Sequence, residues 1–122
     1  MFKLNERIHG TLDYLTVVFL VSIGLFEFFS PYFSHLLIGL AAIHLLLTVC
    51  TNFSVGLVKL VPLEIHGYVE LAVSVGLVPA PFLLHYAAEA PAKMFTWVFA
   101  AVLFVLFLLT NYHSATATSP TK

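Results

Sequence analysis

Residues Ile8–Phe29 read IHGTLDYLTVVFLVSIGLFEFF, and this stretch decides the fold class. A bilayer core about 30 Å thick asks for about 20 predominantly apolar residues in helical conformation. The segment meets that length with only Asp13 and Glu27 as ionised groups. Lys3 and Arg7 precede it, as a signal peptide would have them. However, the apolar run exceeds an h-region of about 7–15 residues, and no small-x-small cleavage site follows, so a retained span is expected.

Working outward, three more segments qualify as spans: Phe33–Asn52, Leu63–Tyr86 and Lys93–Tyr112. Ser30-Pro31, Pro62 and Glu89–Pro91 supply the breakers between them. The composition agrees. Of 122 residues, 61% are hydrophobic and 9% charged, with a mean hydropathy of +1.02. Soluble domains carry about 25% charged residues, so the expectation is an all-α integral membrane four-helix bundle forming one transmembrane domain over residues 1–122. Ser114–Lys122 is read as a flexible tail, and Ser54–Pro62 as an apolar connection lying along the membrane surface.

Partners and placement follow from charge and aromatics. A formal net charge of -1 with no basic block excludes nucleic acid and leaves the lipid bilayer as the environment. Tyr14, Tyr68 and Tyr112 fall near one set of helix ends; Tyr32, Tyr86 and Trp97 fall near the other, as interfacial belts do. Lys3, Arg7, Lys59 and Lys122 share one side and Lys93 is alone opposite. The positive-inside rule then puts both termini in the cytoplasm, in a multi-pass protein of the bacterial inner membrane. Cys50, the single cysteine, sits in an apolar run and reads as packing.

The chain also repeats itself. His9-Gly10-Thr11-Leu12-Asp13 opens span one, and His66-Gly67-Tyr68-Val69-Glu70 opens span three. Ser22-Ile23-Gly24-Leu25 echoes Ser74-Val75-Gly76-Leu77, at a different offset. Thr51-Asn52-Phe53-Ser54 closes span two, as Thr110-Asn111-Tyr112-His113-Ser114 closes span four. Two similar helical hairpins are therefore expected, related by an axis along the membrane normal.

Buried polarity is the functional signal, because ionisable groups in hydrocarbon are costly. His9, Asp13, Thr16, Gly24 and Glu27 share a helical face on span one; His66, Glu70 and Ser74 do so on span three. Span two offers Ser34, Ala41, His44, Thr48 and Thr51, and span four Thr96, Thr110 and His113. At about 1.5 Å per residue, Asp13 and Glu70 lie roughly 8–10 Å inside their helices, level with Thr48 and one turn from His44. Each His-x-x-x-acid pair stacks imidazole over carboxylate, and two such pairs offer the donors of a divalent metal site. The candidate ligands are His9, Asp13, His66 and Glu70, with His44 as a third-helix, cofactor-binding contributor. Structural hydrogen bonding between helices, proton exchange at desolvated carboxylates, and haem held by His44 or by His9 and His66 stand beside that reading. His35, His85 and His113 read as interfacial, and Glu27 as a polar contact at the outer end.

A span that opens on a carboxylate and closes near Ser-Pro-aromatic resembles the bacterial SPW-repeat membrane proteins. The matching pieces are Asp13 with Ser30-Pro31-Tyr32, and Glu70 with Ala80-Pro81-Phe82. The resemblance covers spans one and three and implies architecture, not mechanism. Four spans with a carboxylate in the first are also similar to the small multidrug resistance transporters, which would make Asp13 a proton-coupled site. The second acid and the apolar fourth span depart from that pattern. No nucleophile–base pair or phosphate loop is present, so a metal- or cofactor-binding or accessory subunit is expected in preference to an enzyme. It would act within a larger membrane complex or as a homodimer. A ligand-free structural subunit and a proton-coupled small transporter are the alternatives.

Overall fold

The computed structural model describes residues 4–110. Among them the chain is all-helical: α1 (Glu6–Leu25), α2 (Pro31–Val49), α3 (Leu63–Gly76), α4 (Ala80–Leu83) and α5 (Ala90–Leu109). Strand pairing among these residues is limited to the isolated bridges Leu4–Thr110 and Thr51–Val61. α1 packs mainly on α2, and α3 on α5. Three helices, α1, α2 and α5, are long and apolar enough to cross a membrane. Lys3, Tyr112, His113, Lys122 and the tail lie outside the described residues.

Local chemistry sets the helix ends. Asn5 caps α1, its Oδ1 accepting the Ile8 N–H at 2.9 Å, and Glu6 in the first turn suits the helix dipole. The expected extension of span one to Phe29 fails, because Glu27 enters the left-handed region at φ 55. Phe28 N–H then bonds Ile23 C=O and Glu27 N–H bonds Gly24 C=O, a Schellman closure. Ser30 caps α2 with Pro31 in its first turn. Pro91, read from sequence as a breaker, instead occupies the first turn of α5, where its missing N–H costs nothing. α5 therefore starts at Ala90, ahead of the expected Lys93.

The expected third span is divided. Pro79 has no N–H, so the Val75 carbonyl takes the Val78 N–H at 3.2 Å in a tightened turn. Bonding resumes with Leu83 N–H to Pro79 C=O, and the Trp97 indole N–H reaches the Val78 carbonyl at 3.0 Å. α4 then ends in a second Schellman closure on His85, at φ 65, with Tyr86 N–H bonded to Pro81 C=O. By itself α3, at 14 residues, is about 21 Å long, too short for a bilayer core.

The exterior is apolar and much of the interior is polar. Phe26, Phe28, Leu46 and Leu83 are exposed, whereas His9, Asp13, Thr48, Thr51, His66, Glu70, Ser74, Thr96 and Thr110 are buried. That inversion of the soluble pattern suits a hydrocarbon surround. An apolar core of Val17, Leu20, Phe33, Leu37 and Tyr86 fills the end where α1 runs into α2. Gly24 lets α1 and α2 meet there, since a Cβ would lie 2.6 Å from Ile38 Cγ1. His9, Asp13, Thr48, Thr51, His66, Glu70 and Thr110 occupy the opposite end, whereas Thr96 shares the apolar end, its hydroxyl 2.8 Å from that of Tyr86.

Between α2 and α3 the chain closes on itself instead of running out as an extended strap. Val61 N–H bonds Cys50 C=O, Leu57 and Val58 N–H bond Val49 C=O, and Lys59 Nζ donates to the Phe53 and Gly56 carbonyls. Glu6 accepts the Ser54 N–H and hydroxyl, tying this loop to α1.

Candidate metal centre

The first and third helices bring their His-x-x-x-acid pairs face to face. His9 Nε2 lies 2.9 Å from Glu70 Oε1 and 3.4 Å from Asp13 Oδ1. His66 Nε2 lies 3.1 Å from Glu70 Oε2 and 3.0 Å from Asp13 Oδ2. Each imidazole thus touches the carboxylate of its own helix and that of the other. One ligand atom from each of His9, Asp13, His66 and Glu70 fits within a mutual spread of 4.8 Å, and all four residues are buried. Phe53, from the α2–α3 loop, covers one side, its ring 5.6 Å from that of His66.

The ring nitrogens on the far side settle the tautomer. His66 Nδ1 is 2.7 Å from Thr51 Oγ1, and His9 Nδ1 is 2.6 Å from Thr110 Oγ1. Each threonine hydroxyl donates its one hydrogen to a carbonyl four residues back, Leu47 at 2.5 Å and Leu106 at 2.6 Å. Threonine can therefore only accept from histidine, so Nδ1 carries a proton in both rings. In the neutral imidazole this turns the Nε2 lone pair onto a carboxylate oxygen about 3 Å away, acceptor against acceptor. A cation must bridge them. Two protons or one divalent metal ion would each balance two carboxylates and two neutral imidazoles, and an unbalanced charge here is costly.

Two buried side-chain atoms among the described residues have no hydrogen-bond partner: Asp13 Oδ2 and His44 Nε2. Asp13 Oδ2 lies 3.0 Å from His66 Nε2 without a hydrogen bond, leaving a lone pair for a cation. His44 approaches Asp13 Oδ1 at 3.5 Å with its side chain 10% exposed. It stands at the rim, touching one carboxylate, and not among the four converging donors. Thr48, expected at the level of Asp13, is buried with its hydroxyl on the His44 carbonyl. His35 and His85 are exposed away from the cluster, as is Glu27.

The threonines are what a residue-by-residue search for ligands overlooks. Thr51 and Thr110 stand 59 residues apart, as do their bonded carbonyls, Leu47 and Leu106. His9 and His66, like Asp13 and Glu70, stand 57 apart. The bridges obey the same rule, Leu4 N–H to Leu109 C=O matching Val61 N–H to Cys50 C=O. The Thr-Asn-aromatic echo at the ends of spans two and four carries this information. By contrast, the Ser22–Leu25 and Ser74–Leu77 echo is not structurally equivalent: at the offset of the histidines, Ser22 corresponds to Pro79. Compared with protein-family models, with curated proteins and with solved structures, the chain matches none.

Proposed function

We propose that this protein is a small integral membrane protein that binds one divalent transition-metal ion, of the zinc, iron or manganese type, between its two helical hairpins. His9, Asp13, His66 and Glu70 are the ligands. The observation that carries the reading is the convergence of two Nε2 atoms and two carboxylates whose outward nitrogens are already committed to Thr51 and Thr110. Imidazole with carboxylate is the donor set of such ions, and a hydrogen bond at the second ring nitrogen is the usual support of a metal-bound histidine. Haem is a poorer fit, because the Asp13 and Glu70 carboxylates fill the space a porphyrin would need between His9 and His66.

In this reading α3 and α4 together make a fourth crossing and complete a four-helix membrane bundle. The end bearing Arg7 and Lys59 faces the cytoplasm, with both termini there, in the inner membrane. The exposed phenylalanines suit an accessory subunit packed in a larger complex or a homodimer.

A second reading has a specific observation in its favour. The ring of contacts also closes with two protons in place of the ion, making it a structural clasp. Elemental analysis of protein purified without chelator separates the two. One ion per chain, lost in His66→Ala, supports the metal site. Metal-free protein that takes up none on addition of zinc, iron(II) or manganese, with Asp13→Asn and Glu70→Gln folding as stably as the parent, contradicts it.

A further inference from the structure

Beside the ring, α2, α3 and α5 enclose a chamber of about 30 Å³. Glu70 and His44 line it, and Leu40, Ile43, Phe99 and Leu103 are among its apolar walls. The offset that pairs Thr51 with Thr110 also pairs Leu40 with Phe99 and His44 with Leu103. Both members of both pairs line the chamber, so it lies where the two hairpins meet, against the Glu70 carboxylate's own residue. A space of this size holds a water or a diatomic molecule and nothing larger.

The pairing of the halves is unequal at this chamber, because an imidazole stands opposite a leucine. The His44 side chain is nine-tenths buried, and its Nε2 makes no hydrogen bond and only a 3.5 Å approach to Asp13 Oδ1. A buried polar atom left unbonded is costly, and the corresponding place on α5 is filled by apolar Leu103. A ligand held beside Asp13 and Glu70 would supply the partner that His44 lacks. Four protein donors leave an octahedral iron(II) ion with positions open to such a ligand. Phe53 covers one side of the ring, and the chamber adjoins it at Glu70.

We propose that the ion of the ring is iron(II) and that the chamber admits a small uncharged diatomic molecule, dioxygen or nitric oxide, as its further ligand, hydrogen-bonded to His44 Nε2. This rests on the metal reading. Two imidazoles with carboxylate and open positions are the donor set of non-haem iron(II) that takes dioxygen. The apolar walls select against charge, since an anion would leave its hydration behind on entering them. The wider apolar cavity that shares Leu40, Ile43 and Phe99 with the chamber leads to it from the hydrocarbon, where such gases dissolve.

The test uses the full chain in phosphatidylcholine nanodiscs, stripped of metal, loaded anaerobically with iron(II) and exposed to nitric oxide. Bound iron is counted first. The expected result is an iron–nitrosyl signal in electron paramagnetic resonance that matches the bound iron, with no change in the spectrum on adding azide alone. His44→Leu should keep the iron but release nitric oxide about tenfold faster through loss of one hydrogen bond. Its N–O stretch in the infrared should shift, and His44→Gln, which restores a donor, should bring it back. Val73→Ile, which narrows the chamber by one methylene, should slow nitric oxide binding without loss of iron. Iron bound with no nitrosyl signal overturns the proposal and leaves the metal reading standing, whereas absence of iron binding removes both. Azide binding as tight as that of nitric oxide, or a stretch and release rate identical in parent, His44→Leu and Val73→Ile, also overturns it.

Discussion

The α1–α2 hairpin and the α3–α5 hairpin carry the same polar skeleton on different frames. Both present histidine, glycine and an acid one turn later, and both end in a threonine that accepts from the other hairpin's histidine. α1 finishes in a Schellman closure on Glu27, and the α3–α4 pair in one on His85, both left-handed residues. The differences lie away from the ring. α1 is unbroken where α3 and α4 are divided at Pro79, and His44 on α2 corresponds, 59 residues on, to Leu103 on α5. What the halves share builds the charged centre; what they do not share lies outside it. Substitutions should therefore act in matched pairs at the ring and singly elsewhere.

The largest effects belong to the ring. Removing one imidazole by His9→Ala or His66→Ala leaves two buried carboxylates short of their counter-charge, at a cost of about 3–5 kcal/mol. Thermal unfolding in detergent should show similar losses for the two. A loss confined to one of them would break the equivalence of the halves.

Next come the threonines. Thr51→Val and Thr110→Val each strand an Nδ1 proton, and each should lower metal affinity about 10–100-fold. Serine restores the acceptor. Affinities measured by competition with a chromophoric chelator decide this, and recovery with serine distinguishes the hydrogen bond from simple packing.

His44→Leu makes α2 resemble α5 at the point where they differ. It removes a buried imidazole whose Nε2 makes no hydrogen bond and only a 3.5 Å approach to Asp13 Oδ1, so stability should change by less than about 1 kcal/mol, or rise, with metal stoichiometry intact. Loss of the ion would place His44 among the ligands. Smallest of all is Pro79→Ala. It restores an N–H for the Val75 carbonyl but adds freedom to the unfolded chain, so the net change should stay within about 1 kcal/mol. The environment of Trp97, bonded to the Val78 carbonyl, should report it through a shifted emission.

Much of this was legible in the residues. Hydropathy alone gives α1, α2 and α5, and helical spacing brings out His9, Asp13, His66 and Glu70 as pairs. Helix ends were harder, because Glu27 and His85 adopt a conformation that ordinarily selects glycine, and nothing in their identity announces it. Pro91 and Pro79 look alike on paper, yet one starts a helix and the other interrupts one. The difference lies in whether the residues before them are already hydrogen-bonded. The threonine partners were visible only as an echo at span ends, since their role depends on two hairpins meeting. His44, expected as a third-helix contributor, approaches Asp13 Oδ1 at 3.5 Å; depth along a helix gives its level, while rotation about the helix sets how close it comes.

The central claim is that the ring holds one divalent ion in place of two protons. Calorimetric titration of metal-stripped protein with zinc, repeated in buffers of different ionisation enthalpy, tests it directly. The account predicts one ion per chain with release of about two protons, and affinity that rises with pH because protons compete for the same nitrogens. Absence of uptake, or uptake that persists unchanged in His66→Ala, would contradict it.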